Sequence, residues 1–203
     1  LSVIDNSNIY LTGLLVMVMS TILGMGVPGV AAYVIVQAVA VPVLIKAGVI
    51  PITAHMFCLI YACLSNITPP VAMSAYVAAG IAGSDQTKTG LWAVRLGLIG
   101  FIIPFFFLNN PILLVGVDSK ATTLATLVAV ATASLGTVAL VAGLEGWLLG
   151  RCSVPERLIL IMAAPAMLYP GTATDLLGLA CLLFVFGFQF LGRRRANQPT
   201  LRT

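Results

Sequence analysis

Apolar residues run in long, unalternating blocks, punctuated by short polar or Gly/Pro stretches. The first block, residues 10 to 24, holds fifteen residues. That is too few to cross a hydrocarbon core of about 30 Å at about 1.5 Å per residue. It stops at Gly24-Met25-Gly26-Val27-Pro28, resumes from 28 to 46, and ends at Lys46-Ala47-Gly48, a helix stop. A short arm, a Gly/Pro tip and a return arm predict a re-entrant hairpin over about 10–46. A single kinked span is the alternative.

Residues 52 to 82 are apolar on both sides of Ser65–Pro70 and predict one discontinuous membrane helix. Two consecutive prolines there remove backbone donors and push the preceding residue out of helical geometry. A polar loop follows at 83–90, where Asp85 or Thr87 can cap the next helix. Residues 91 to 108 predict an ordinary span, closed by Asn109-Asn110-Pro111. Beyond Asp118-Ser119-Lys120 the texture changes: an uninterrupted span at 121–143, a polar-leaning connection to 156, a short apolar segment at 157–169 containing Pro165, and a last span at 175–191. The expected division is therefore 1–117 and 118–203.

Composition settles the class. The chain is 60% hydrophobic and 8% charged, with mean hydropathy +1.10. Soluble domains carry roughly 25% charged residues, so so few charges could not cover a water-exposed surface. A membrane β-barrel would alternate apolar and polar positions in segments of about ten. The continuous runs point instead to an all-α integral membrane protein.

Positive charge supplies an orientation. With the hairpin returning to its side of entry and every later segment crossing, Lys46 and Lys120 fall on one side. Lys88, Arg95, Arg151, Arg157, Arg193, Arg194, Arg195 and Arg202 fall on the other. This bias places the C-terminus in the cytoplasm. If 157–169 does not cross, the bias largely dissolves.

Several chemistries find no support. Basic stripes interleaved with aromatics are missing, which argues against nucleic acid. The cysteines (Cys58, Cys63, Cys152, Cys181) form no CxxC and read as small hydrophobes. His55, the one histidine, has no acid or second histidine at helical spacing. Nucleophile elbows, zinc-protease motifs, P-loops and mid-membrane carboxylate pairs are absent, so neither an enzyme nor a proton relay is expected.

The chemistry gathers at the interruptions. Pro69 and Pro70 should free carbonyls near Ser65 and Asn66. These carbonyls, the Asn66 amide oxygen and the Thr68 hydroxyl offer hard neutral oxygens of the kind that suit Na⁺ at unwound transporter helices. The half-helix that follows presents free N–H groups to an anion. Packing alone could also shape a proline kink, because membrane helices tolerate proline. Polar groups at mid-membrane are costly, however, and that favours a functional break. Gly24, Gly26 and Pro28 form a second interruption, in which glycine permits positive φ and Pro28 suits the start of a half-helix.

Gly24-Met-Gly-Val-Pro-Gly-Val-Ala-Ala-Tyr33, Asn66-Ile-Thr-Pro-Pro-Val-Ala72 and Ala78-Ala-Gly-Ile-Ala-Gly83 resemble the large permease subunit of tripartite ATP-independent periplasmic (TRAP) transporters. The likeness covers roughly residues 10–117 and is nearest to the branch with fused small and large subunits. It implies the second of two inverted repeats, and an elevator in which hairpin and broken helix carry substrate and Na⁺ together. It also implies a periplasmic binding protein, commonly of the TAXI type in the fused branch. Many large subunits carry Gly after Pro-Pro-Val, where this chain has Ala72. Residues 118–203 resemble nothing familiar and read as a C-terminal membrane appendage.

The expected function is sodium-coupled uptake of a small organic acid across a bacterial or archaeal inner membrane. Asn66 and Thr68 are the expected side-chain cation ligands, with backbone near Gly24, Val27 and Ser65. Ser65 or Ser74 could touch substrate, and Gly26, Pro28, Pro69 and Pro70 make the breaks. Beyond Na⁺ no cofactor is expected. The chain, opening at Leu1, reads as a piece of a longer polypeptide that supplies the first repeat and small-subunit region. A binding-protein-independent sodium–anion symporter and a non-transporting membrane anchor are the alternatives.

Overall fold

The computed structural model of the chain describes residues 9–109, 113–114, 123–168 and 172–196. Asn110-Pro111, Asp118–Lys120, Tyr169 and Arg202 lie outside the described residues. The helices are α1 (Ile9–Gly24), α2 (Gly29–Lys46), α3 (Pro51–Leu64), α4 (Met73–Ala82), α5 (Gln86–Asn109), α6 (Thr123–Glu145), α7 (Val154–Leu168) and α8 (Thr172–Ala196). Among the described residues no strand forms. The α2 helix and the Gln86–Leu108 and Thr126–Glu145 stretches are long and apolar enough to cross a membrane. The chain divides into two compact units, Leu1–Asp118 and Ser119–Thr203.

Small residues organise the first unit. In lipid there is little hydrophobic drive between helices, so close van der Waals approach has to hold them together. Ala32, Val36 and Ala40 lie four residues apart on α2, and Ala54, Cys58 and Ala62 do the same on α3. All six are buried in one cluster. Each triplet forms a single helix face. Larger groups fill the remaining space: Phe57 and Tyr61 are fully buried and stack edge-on at 4.8 Å, with Phe105 5.5 Å from Phe57. Outward-facing Val30, Ile81 and Leu96 are largely exposed, an apolar surface suited to lipid.

The α5 helix runs antiparallel to the discontinuous helix and covers the break. A methyl group on Gly90 would meet Tyr76 and Pro69, one on Gly97 would meet Ile67, and one on Gly100 would meet Leu64. Farther along, the Tyr61 hydroxyl donates to the Phe101 carbonyl at 2.7 Å. The α5 helix begins five residues before the expected position 91, because Asp85 accepts the Lys88 N–H at 2.7 Å and draws the polar first turn into the helix.

In the second unit, Gly143 and Gly178 bring α6 and α8 against α7. A methyl group would lie 3.1 Å from the Arg157 carbonyl at Gly143 and 2.9 Å from the Ala163 carbonyl at Gly178. The last carbonyls of α6, which have no intrahelical donor, receive Arg157: Nε donates to Gly143 at 2.9 Å and Nη2 to Leu144 at 2.8 Å. Its positive charge also suits the negative end of the helix dipole. Gly146, at φ +72°, turns the chain out of α6 and donates to Ala142 at 2.9 Å.

Candidate functional site

The α1 helix stops at Gly24, and two weak turn bonds carry the chain round the tip: Met25 N–H to Ile22 at 3.3 Å and Val27 N–H to Gly24 at 3.4 Å. Gly26 takes φ +79°, a left-handed conformation that glycine adopts without a steric penalty. Pro28 precedes α2 in extended geometry at φ −57°, ψ 141°.

The break after α3 opens with a 3₁₀ turn, Ser65–Ile67. Thr68 turns extended, the Pro69–Pro70 bond is cis, and Ala72 sits at φ 34°, ψ 46° before α4 begins. Ala72 is the one non-glycine with positive φ among the described residues. Its backbone is nevertheless tied on both sides: Ala72 N–H donates to Thr68 at 3.0 Å, and Tyr76 N–H donates to Ala72 at 2.9 Å.

The two interruptions are in contact. A methyl group on Gly24 would lie 2.7 Å from the Ser65 hydroxyl and 3.4 Å from the Ala62 Cα, and one on Gly26 would touch Val71. Of the expected site residues, Gly24 and Ser65 are thus neighbours.

The side chains at the break point their donors inward along the chain. Ser65 Oγ donates to Ala62 at 2.6 Å, and Thr68 Oγ1 donates to Leu64 at 2.8 Å. Asn66 Nδ2 donates to Cys63 at 3.3 Å, a long bond. With each proton committed to the backbone, the lone pairs of both hydroxyls and the Asn66 amide oxygen are left as acceptors. Ser65 is buried, Asn66 and Thr68 are half-buried, and Ser74 is exposed in the first turn of α4.

One expectation needs correcting. The Ser65 carbonyl is not freed by the prolines, because the tighter 3₁₀ turn lets it accept the Thr68 N–H at 3.2 Å. Among the described residues, no backbone N–H reaches the carbonyls of Val27, Asn66 or Ile67. The open acceptors therefore lie one residue later on the broken helix than expected. No side chain caps α4, so its first N–H groups remain available to an anion.

Two hydrogen bonds escape a sequence reading. The Tyr76 hydroxyl donates to the Pro70 carbonyl at 2.9 Å, and its ring lies where a Gly90 side chain would begin. Nothing in the spacing six residues after Pro70 announces that bond. The recurrence of Gly90, Gly97 and Gly100 on one face of α5 is the signal that could have located the close approach. His55, which has no acid or second histidine at helical spacing, meets the Tyr33 hydroxyl at 2.7 Å through Nδ1 and ties α3 to α2. Among the described residues no group of three His, Cys, Asp or Glu side chains could hold a metal.

Residues 1–120 match the family model for the DctM component of the tripartite ATP-independent periplasmic transporter. Comparison with curated proteins and with solved structures gives no match.

Proposed function

The chain belongs to the DctM family of tripartite ATP-independent periplasmic transporters, and on that premise we propose that its first unit binds Na⁺ and a small carboxylate at the paired breaks. It is a multi-pass membrane protein and part of a secondary transporter. The observation that carries the proposal is the contact of Gly24 with Ser65. It joins the two interruptions, and the hydroxyls of the broken helix, Ser65 and Thr68, have spent their protons on backbone and retain oxygen lone pairs.

Neutral oxygens of this kind suit a hard monovalent cation. Thr68 Oγ1, the Asn66 amide oxygen and the backbone of Val27, Asn66 and Ile67 are the proposed ligand atoms, with Gly24 allowing the close approach. The uncapped start of α4 and exposed Ser74 then face the carboxylate, whose charge the helix end stabilises. Hairpin and broken helix move as one body in an elevator step, completed by a matching inverted repeat. A periplasmic binding protein, of the TAXI type in a fused-subunit transporter, delivers the acid. The membrane is the inner membrane, with the C-terminus in the cytoplasm.

The test is uptake of a panel of organic acids into proteoliposomes holding the parent transporter and its binding protein, with and without an inward Na⁺ gradient. Uptake that needs both supports the proposal. Uptake with Na⁺ but no binding protein favours an ordinary symporter. Na⁺-independent uptake overturns the cation site.

A further inference from the structure

We propose that the groove between α7 and α8 in the second unit seats one acyl chain of an amine-headed phospholipid, phosphatidylethanolamine, with its ammonium at Glu156. The two helices run antiparallel: Gly178 packs on Ala163 and Met167, while Gln189 reaches Glu156 at the other end. Two neighbouring cavities open along this seam, of about 400 Å³ and about 220 Å³, and they share Ile159. Ile159, Met162 and Ala166 form the α7 wall, three or four residues apart. Leu177, Cys181 and Phe184 form the α8 wall at the same spacing. Such spacing puts each set on one helix face, so the cavities form one channel. From Pro155 to Ala166 it is about 17 Å long at 1.5 Å per residue. That is about half of a roughly 30 Å hydrocarbon core, the depth of one leaflet.

Among the described lining residues, the polar ones gather at one end. Glu156 and Ser153 line it, and Glu156 Oε2 is fixed there by the Ser153 N–H at 2.7 Å and Gln189 Nε2 at 3.2 Å. Gln189 also draws in the adjoining loop, its Oε1 accepting from Leu149 at 3.1 Å and Gly150 at 3.2 Å. Partial burial raises the Glu156 carboxyl, but the hydrogen bonds from Ser153 and Gln189 outweigh it and hold the group below its ordinary value. The carboxylate stays ionised, and beyond the Ser153 and Gln189 bonds its lone pairs can accept a further donor. A primary ammonium brings both positive charge and N–H groups. A choline brings charge without donors, and a glycerol headgroup brings no cation to the carboxylate. The helix of a second copy would instead lay apolar side chains over a carboxylate, which is unfavourable.

The experiment uses the full chain in nanodiscs of equimolar phosphatidylethanolamine, phosphatidylglycerol and phosphatidylcholine, with retained lipid counted by native mass spectrometry after mild detergent release. Phosphatidylethanolamine should be enriched about fivefold over the others, the ratio one exposed charge pair supports. Glu156→Gln, which keeps the helix cap, should bring the ratio back to that of the disc. Met162→Trp, placed at a side chain exposed on the groove, should release lipid of every headgroup, and Leu177→Trp on the facing helix should repeat that result. Equal retention of all three lipids by the unmodified chain overturns the headgroup assignment. Retention unchanged in both tryptophan variants overturns the groove. Cross-linking of Met162→Cys to a second copy, with no lipid retained, assigns the groove to self-association instead.

Discussion

Gly24 and Ser65 touch so closely that a single methyl group on the glycine would lie 2.7 Å from the serine hydroxyl. The hydroxyl cannot swing aside freely, because it is buried and donates to Ala62 at 2.6 Å. Gly24→Ala should therefore cost about 1–3 kcal/mol, the usual range for overpacking, and reduce Na⁺-driven uptake. Gly80→Ala, where nothing lies within 4 Å, should leave both unchanged or slightly improved. Thermal melts in detergent beside uptake assays check the pair. Equal losses in the two variants would show that the contact is unimportant.

Asn66 makes only a long bond to Cys63, at 3.3 Å, so its removal should disturb folding little. Asn66→Ala is expected to shift the Na⁺ concentration for half-maximal uptake upward about tenfold or more, in line with the 1.5–3 kcal/mol of a charge-assisted contact. The melting temperature should stay within a few degrees. Parallel losses of stability and Na⁺ response would remove Asn66 from the cation site.

Ala72 sits at φ 34°, a region that costs an L-residue about 1–2 kcal/mol. Glycine removes that strain but loses about 0.5–1 kcal/mol more in backbone freedom on folding. Ala72→Gly should thus be neutral or mildly stabilising, despite deleting a fully buried methyl. Ala72→Val should be strongly destabilising, since a β-branched residue fits this conformation poorly. Melting temperatures of the two variants give the order directly.

The Tyr61 hydroxyl bonds to the Phe101 carbonyl at 2.7 Å, yet Phe101 lies inside a continuous helix. Losing the hydroxyl therefore does not orphan the carbonyl. Tyr61→Phe should cost about 0.6 kcal/mol, the average for hydrogen bonds between membrane helices. Tyr61→Ala should cost about 3 kcal/mol or more, because it empties the aromatic cluster. Reversible unfolding in mixed micelles would separate the two. A large loss in Tyr61→Phe would mean the bond, and not the ring, holds α3 to α5.

Glu156 has a carboxyl held below its ordinary value in the folded chain: burial pushes it up and the Ser153 and Gln189 hydrogen bonds pull it further down. Its contribution to stability is therefore complete above the unfolded value of roughly 4.3. It is lost as pH falls through the lower folded value. Melting of the second unit, followed by Trp147 fluorescence in a Trp92→Phe background, should fall across that acid range. Glu156→Gln should remove this part of the pH dependence. An unchanged acid limb would exclude the carboxylate as its source.

Much of the architecture follows from local chemistry. Prolines 69 and 70 cannot donate to the preceding turn, so a break beside them was legible from residue type alone. So was the membrane class, from a chain with 8% charged residues. Helix ends were less so: Asp85 and Thr87 were equal candidates for capping α5, and only the bond from Lys88 N–H distinguishes them. The tightening at Ser65 was also hidden, because 3₁₀ and α turns draw on the same residues and differ only in which N–H the carbonyl finds.

By itself, then, the sequence determined where the apolar segments lie, where they are interrupted and which polar atoms the interruptions carry. Each of these depends on a few consecutive residues. Only the tertiary structure decided that Gly24 meets Ser65, that Tyr76 reaches back to Pro70, that α5 lays its glycines over the break, and that Gln189 closes on Glu156. Those contacts depend on how helices pair across stripes of small residues. Many such stripes are present in so apolar a chain, and the pairing is chosen by their mutual fit.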